Sequence, residues 1–401
     1  MASTRVLQDE PASPEAQAKR GVLPRLNLAQ YGAQAYVMVG VLVVLGLLFN
    51  ILTNGIFLSP RNVSLLLRQS AIVGTAASGM VLLLIVGEID LSVGSAVALI
   101  SILVASLQAR SNWGVTETVA VAFVAGPLLG LWQGFWVARL GVPAFVVTLA
   151  GLLVFRGVGF VWTNAATIMP VTPQLVGLSE GFIPREASVT LIVAGFILWL
   201  AFTVRSRLTH ARHELRNSNR VIFAMQVIVW AAAFAFFGWS VAGYEGIPMA
   251  VVVMGIVVAI LSLVTQYTKF GRTLYAIGGS REAARLAGIN IRRTIILAFV
   301  IMGLMYSVAG ILVTARLNGS PPNTGLYLEL DAIAAAVIGG TSLSGGIGTV
   351  LGALVGALLL ASIDNGMSLM NVSSFLQLVV KGFVLLVAVW LDVVGRRRSA
   401  Y

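Results

Sequence analysis

The chain has 401 residues, 58% hydrophobic and only 10% charged, with a net charge of +11 and no cysteine. Soluble domains carry about 25% charged residues, so this composition excludes a water-soluble fold and places the chain in a membrane. The missing cysteines exclude disulfides, thiolate metal sites, iron–sulfur clusters and thiol nucleophiles.

Residues 1–34 are polar, include Asp9, Glu10 and Glu15, and lack the charged start, apolar stretch and cleavage site of a signal peptide. They read as a cytoplasmic tail. A membrane-spanning helix needs about 20 apolar residues. Spans are predicted near 35–53, 69–87, 93–108, 117–138, 143–162, 188–204, 221–240, 247–266, 294–315 and 373–394. Two more segments, near 331–342 and 349–363, are short and glycine-rich. They suit either full spans or a re-entrant pair, because non-helical backbone at membrane depth is tolerated only when buried in protein or lining water. The expectation is an all-α polytopic transmembrane helical bundle over 35–394, with about 12 spans or 10 plus a re-entrant pair. Residues 395–401 form a basic tail.

Orientation follows from the basic residues. With the N-terminus inside, the cytoplasmic segments hold 19 of the 26 Lys and Arg residues. This positive-inside bias predicts both termini in the cytoplasm and removes the need for a nucleic-acid partner to explain the charge. His210 and His213 lie beside Glu214 in a basic connector, where a solvated loop is a simpler reading than a metal site. No metal is expected. The glycine-rich stretch GGTSLSGGIGT lacks the Lys-Ser/Thr of a phosphate cradle, and no GxSxG or HExxH motif occurs. No catalytic residue is expected.

The stretch VGEIDLSVGS (86–95) places Glu88 and Asp90 at the end of an apolar run. An ionisable residue at mid-membrane costs about 2.5–3.5 kcal/mol on insertion scales and is rarely accidental. Two residues apart, the acids do not share a helix face. Gly87, Ser92 and Gly94 suggest a helix break, and Asp90 or Ser92 suits the cap of the next helix. Capping and packing, contact with a solute or gate, and ion coupling all remain open from these residues. The stretch echoes IGGTSLSGGI (338–347), with Ser92 and Gly94 matching Ser344 and Gly346. Glycine-interrupted segments in corresponding halves point to a substrate path. Two further charges, Arg156 and Lys381, fall inside apolar runs. They are expected to pair with Glu88, Asp90 or Asp364, or to snorkel.

Between apolar runs lies KFGRTLYAIGGSREAARLAGINIRR (269–293). Ser280 as N-cap, alanines at 283, 284 and 287, and Gly288 as the stop predict a short amphipathic helix over 281–288 on the cytoplasmic face. It could rest on lipid headgroups or dock a cytoplasmic partner.

This loop resembles the EAA loop of ABC-transporter permeases, with Glu282, Ala283, Ala284 and Gly288 at that spacing. Together with GEIDLSVGS, GVPAFVVTLAG (141–151) and AAVIGGTSLSGGIGT (335–349), it resembles permeases of ribose, xylose and galactose importers, over residues 55–395. The resemblance implies a homodimeric membrane subunit in the bacterial inner membrane. A periplasmic sugar-binding protein would deliver a monosaccharide, and a separate cytoplasmic ATPase would carry ATP and Mg. No cofactor would bind this chain. Arg281, Glu282, Ala283, Ala284, Arg285 and Gly288 would form the ATPase-docking coupling helix. Glu88, Asp90, Ser92, Gly94, Arg156, Ser344 and Gly346 would mark the path or its helix break. Gly-Glu-Ile-Asp, in place of the Gly-Ile-Asp of ribose-type members, and an extra pair of spans resemble the xylose type. D-xylose is therefore the expected sugar, with ribose or galactose as alternatives. A proton-coupled secondary transporter using Glu88 or Asp90 is the competing class.

Overall fold

The computed structural model describes residues 28–212 and 220–399. Most of the N-terminal tail and the middle of the basic connector lie outside them. The described residues form fifteen helices and one two-stranded antiparallel pair. In chain order these are α1 Leu28–Leu52, α2 Pro60–Val86, α3 Val93–Ala109, α4 Val115–Ala138, α5 Ala144–Thr163, α6 Pro173–Glu180, β1 Phe182–Ile183, α7 Arg185–Arg212 and α8 Arg220–Ala242. They continue with β2 Ile247–Pro248, α9 Met249–Tyr267, α10 Lys269–Gly279, α11 Arg281–Leu286, α12 Ile291–Leu317, α13 Leu328–Ile338, α14 Val350–Leu369 and α15 Ser374–Ser399. The first span begins at Leu28, seven residues before the predicted start, and the last runs to Ser399, through most of the predicted basic tail.

Helix α2 forms the centre of the bundle. Pro60 at its first position has its backbone preset for a helix start. Gly87 ends it in the left-handed region at φ 84°, donating to Leu83 and Leu84 carbonyls. Residues 80–86 are almost wholly buried. A second largely buried span, α12, packs along α4 through a small-residue ladder. Gly126, Gly130 and Gly134 recur every four residues and face Gly303, Phe299 and Ile296. A Cβ on Gly130 would overlap the Phe299 carbonyl oxygen. Without side chains between them, the backbones approach closely enough for Ser307 Oγ to donate to the Ala122 carbonyl at 2.6 Å. Lipid supplies no hydrophobic drive between helices, so close packing of this kind holds a bundle together.

One crossing is not a continuous helix, and the turn between two others is buried. Residues 87–92 run as irregular chain, with Asp90 and Ser92 fully buried, before α3 begins. Residues 318–327 descend from the outer side, where Ser320 pairs with Ile168 across both N–H···O bonds, at 2.9 and 3.2 Å. Pro321 and Pro322 lack the N–H a helix needs. The segment then meets α3 where Gly325 lies against Gly94. Helix α13 completes the crossing in 11 residues, about 16 Å against a hydrocarbon core of about 30 Å. Beyond its far end, in the loop before α14, the Gly346 N–H donates to the Ile85 carbonyl at 2.8 Å, next to the end of α2. The glycine-rich pair is thus one broken crossing followed by α14, a full 20-residue helix. Among the described residues, seven helices are long and apolar enough to cross a membrane, and four shorter apolar helices accompany them.

Candidate functional site

The loop between α9 and α12 is built from three successive caps. Thr268 Oγ1 accepts from the Gly271 N–H at 3.1 Å and starts α10. Ser280 Oγ accepts from the Ala283 N–H at 3.2 Å and starts α11. Asn290 Oδ1 accepts from the Arg293 N–H at 3.0 Å and starts α12. Each side-chain oxygen satisfies a donor that the helix geometry leaves free. Gly288, at φ 76°, turns the chain after α11. The helix covers 281–286 rather than 281–288. Only Ala284 of its residues is buried; Arg281, Glu282, Ala283 and Arg285 face outward. Arg281, Glu282, Arg285 and Arg292 line an open groove of about 660 Å³.

This element is tied to the helix break. The Arg281 guanidinium forms an ion pair with the Glu88 carboxylate, which is largely buried while the arginine is half exposed. Burial holds the Glu88 carboxyl above its usual range, against the opposing pull of Arg281. Behind the pair, a Cβ on Gly278 of α10 would overlap the Ile85 carbonyl and the Gly346 backbone. Tyr275 OH donates to the Gly348 carbonyl at 2.7 Å, and Ser344 lies against Gly87. The two echoing stretches, 86–95 and 338–347, therefore meet at the base of the exposed helix.

Asp90 faces the opposite way, into the bundle. Its Oδ1 accepts from the Ser92 N–H at 2.8 Å and from Ser92 Oγ at 2.7 Å. Its other oxygen accepts from Tyr306 OH. Ser92 Oγ accepts in turn from Gln133 Nε2 at 2.6 Å. Ser92 takes the cap position of α3 but makes no side-chain capping bond. Asp90 holds the turn instead, through a four-residue network. Tyr306 and Gln133 were not singled out from sequence. Gln133 interrupts an apolar stretch of α4, and that was a signal available for it; Tyr306 sits beside Ser307 and gave none of its own.

Arg156 pairs with none of the acids expected for it. It donates to the Thr324 carbonyl at 2.7 Å, in the extended part of the broken crossing. The nearby acid is Glu329, whose Oε2 lies in the space that a Cβ on Gly94 would occupy. Glu329 thus sits in the first turn of α13 and against the first turn of α3, where helix dipoles favour negative charge. Lys381 does not snorkel. Its Nζ binds Asp331 at 3.1 Å and Asp364 at 2.8 Å. Among the described residues no group of His, Asp or Glu suits a metal ion; the side chains of His210 and His213 lie outside them.

A bundle of long apolar helices, one broken crossing and a capped surface element tied to the buried turn at 87–92 define a multi-pass membrane transport permease. The chain belongs to the family described as branched-chain amino acid transport system / permease component, whose model matches residues 62–389. It is 41% identical to the xylose transport system permease protein of Escherichia coli (strain K12), over 93% of this chain and 95% of the relative. The xylose transport system permease protein of Haemophilus influenzae is 39% identical over 93% and 99%. The ribose import permease protein of Bacillus subtilis is 36% identical over 86% and 88%. No solved structure matches the chain.

Proposed function

We propose that the chain is the membrane subunit of an ATP-dependent, binding-protein-dependent importer of monosaccharides in the bacterial cytoplasmic membrane, with D-xylose as its sugar. Two copies form the path, and a periplasmic binding protein delivers the sugar to them. ATP and Mg are held by a separate ATPase that seats on α11, through Arg281, Glu282, Ala283, Ala284 and Arg285 ahead of Gly288. The observation that carries this reading is the Arg281–Glu88 ion pair, since it joins an exposed helix to the buried helix break between two spans. Around that break lie Glu88, Asp90, Ser92, Gly94, Arg156, Ser344 and Gly346, which we assign to the path and its support. The full-length likeness to two xylose permeases favours D-xylose; ribose is the second reading, from the more distant ribose permeases. A proton-coupled carrier fits less well, because Asp90 is enclosed by hydrogen bonds and Glu88 is committed to Arg281.

The test is labelled D-xylose uptake in cells that lack this chain but keep its partner genes. Restored uptake that excess ribose and galactose do not compete away establishes the xylose importer. No restored uptake, with the chain present in the membrane, overturns the sugar.

A further inference from the structure

The irregular half of the broken crossing runs beside apolar spans. Ser101, the ninth residue of the 17-residue α3, donates to Ser320 Oγ at 2.9 Å. Gly325 lies against Gly94 in the first turn of the same helix. From the other side Arg156 of α5 donates to the Thr324 carbonyl at 2.7 Å. Arg156 stands twelve residues after Ala144 and seven before Thr163, about 18 and 10 Å from the ends of that span. The segment therefore lies at membrane depth.

Its backbone is neither satisfied nor covered by the chain itself. The N–H groups of Asn323, Gly325 and Tyr327 have no hydrogen-bond partner among the described residues. Asn323 is exposed, as are Leu326 at 53% and Tyr327 at 40%. The open face continues onto α5, where the exposed Leu149, Leu153 and Phe160 share the side of the helix that carries Arg156. Irregular chain with free amides does not face hydrocarbon; it occurs at depth only where protein covers it or water reaches it. An arginine inside a span has the same requirement. One chain supplies a single wall of such a space. A second copy turned about a two-fold axis presents the same wall opposite.

We infer that the face formed by residues 321–327 and the Arg156 side of α5 is turned toward a second copy of this chain, and that the two faces wall the water-filled sugar path. This rests on the importer reading above and names the surface that the reading leaves open. A monosaccharide offers hydroxyls to the free amides and to the Asn323 side chain, as water does and lipid tails do not.

The chain contains no cysteine, so single cysteines report on the assembled importer in membranes. Asn323→Cys and Leu326→Cys are expected to react readily with a charged, membrane-impermeant methanethiosulfonate. Ile260→Cys, exposed in the inner part of span α9, is expected to react roughly a hundredfold more slowly, because a fixed charge enters hydrocarbon only at a high cost. Labelling after unfolding establishes that each thiol is present, and the elution profile that each variant folds. A series of bismaleimides is expected to join two permease copies through Leu153→Cys or Leu326→Cys and not through Ile260→Cys. Labelling of Asn323→Cys and Leu326→Cys as slow as that of Ile260→Cys overturns the water-lined wall. Fast labelling with no cross-link at position 153 or 326 overturns the second copy as the opposite wall. Uptake by the wild-type importer separates the two levels: a complex that imports xylose while these tests fail keeps its function and loses the proposed face.

Discussion

Arg281 and Glu88 lie 193 residues apart in sequence and form one ion pair at the cytoplasmic end of the bundle. The pair links the exposed helix α11 to the chain just before α3. Because the arginine is half exposed, such a pair contributes at most about 1 kcal/mol to stability. In the proposed importer its worth would lie in transmission. Arg281→Glu is therefore expected to leave the permease folded and inserted while ATP hydrolysis proceeds without matching sugar uptake. Combining it with Glu88→Arg should recover part of the uptake. Assaying both activities in reconstituted complexes checks this, and full uptake by the single variant would remove the link.

Glu282 is the neighbouring outward-facing acid on α11. It has no ion-pair partner among the described residues, so Glu282→Lys leaves the fold untouched. The substitution adds a positive charge to a groove that already holds Arg281, Arg285 and Arg292. We expect normal membrane levels, a pull-down of the ATPase weakened at least tenfold, and uptake lost in proportion. Normal uptake at normal expression would show that the ATPase does not seat here.

Asp90 is the acid with a packing role. Asp90→Ala strands Tyr306 OH and both Ser92 donors in the bundle interior. An unsatisfied buried partner costs about 1–3 kcal/mol, so the variant should melt several degrees lower in detergent and accumulate less. Uptake per folded molecule should change far less than yield. A variant with unchanged melting temperature and no transport would instead place Asp90 in the path.

The apolar helices of the bundle and the short helix at 281–286 were legible because hydropathy and caps are local signals. Glu88 and Asp90 were visible as anomalies, but their opposite fates were not. Which acid turns toward Arg281 and which toward Tyr306 depends on contacts about 200 residues away. The partner of Arg156 was misjudged for the same reason: it is a backbone carbonyl, which no residue identity announces. The broken crossing at 318–338 reads as a short span in hydropathy alone, although Pro321 and Pro322 mark where its helix cannot form.

The glycine ladder of α4 was also present in the sequence, as three glycines at intervals of four, and gives the sharpest packing prediction. Gly130 is buried where α4 crosses Phe299 and Gly303 of α12. A methyl group there would overlap backbone atoms, which cannot turn aside as a side chain can. Overpacking of this kind costs about 1–3 kcal/mol or more. Gly130→Ala should therefore lower the melting temperature measurably, and Gly130→Val should abolish the folded permease. Gly157→Ala, on α5 where nothing lies within 4 Å of the added carbon, should be neutral or slightly stabilising, since alanine favours helix over glycine by about 1 kcal/mol. Measuring the three melting temperatures side by side separates close packing from helix propensity. Equal effects at positions 130 and 157 would mean that α4 and α12 do not meet through this ladder.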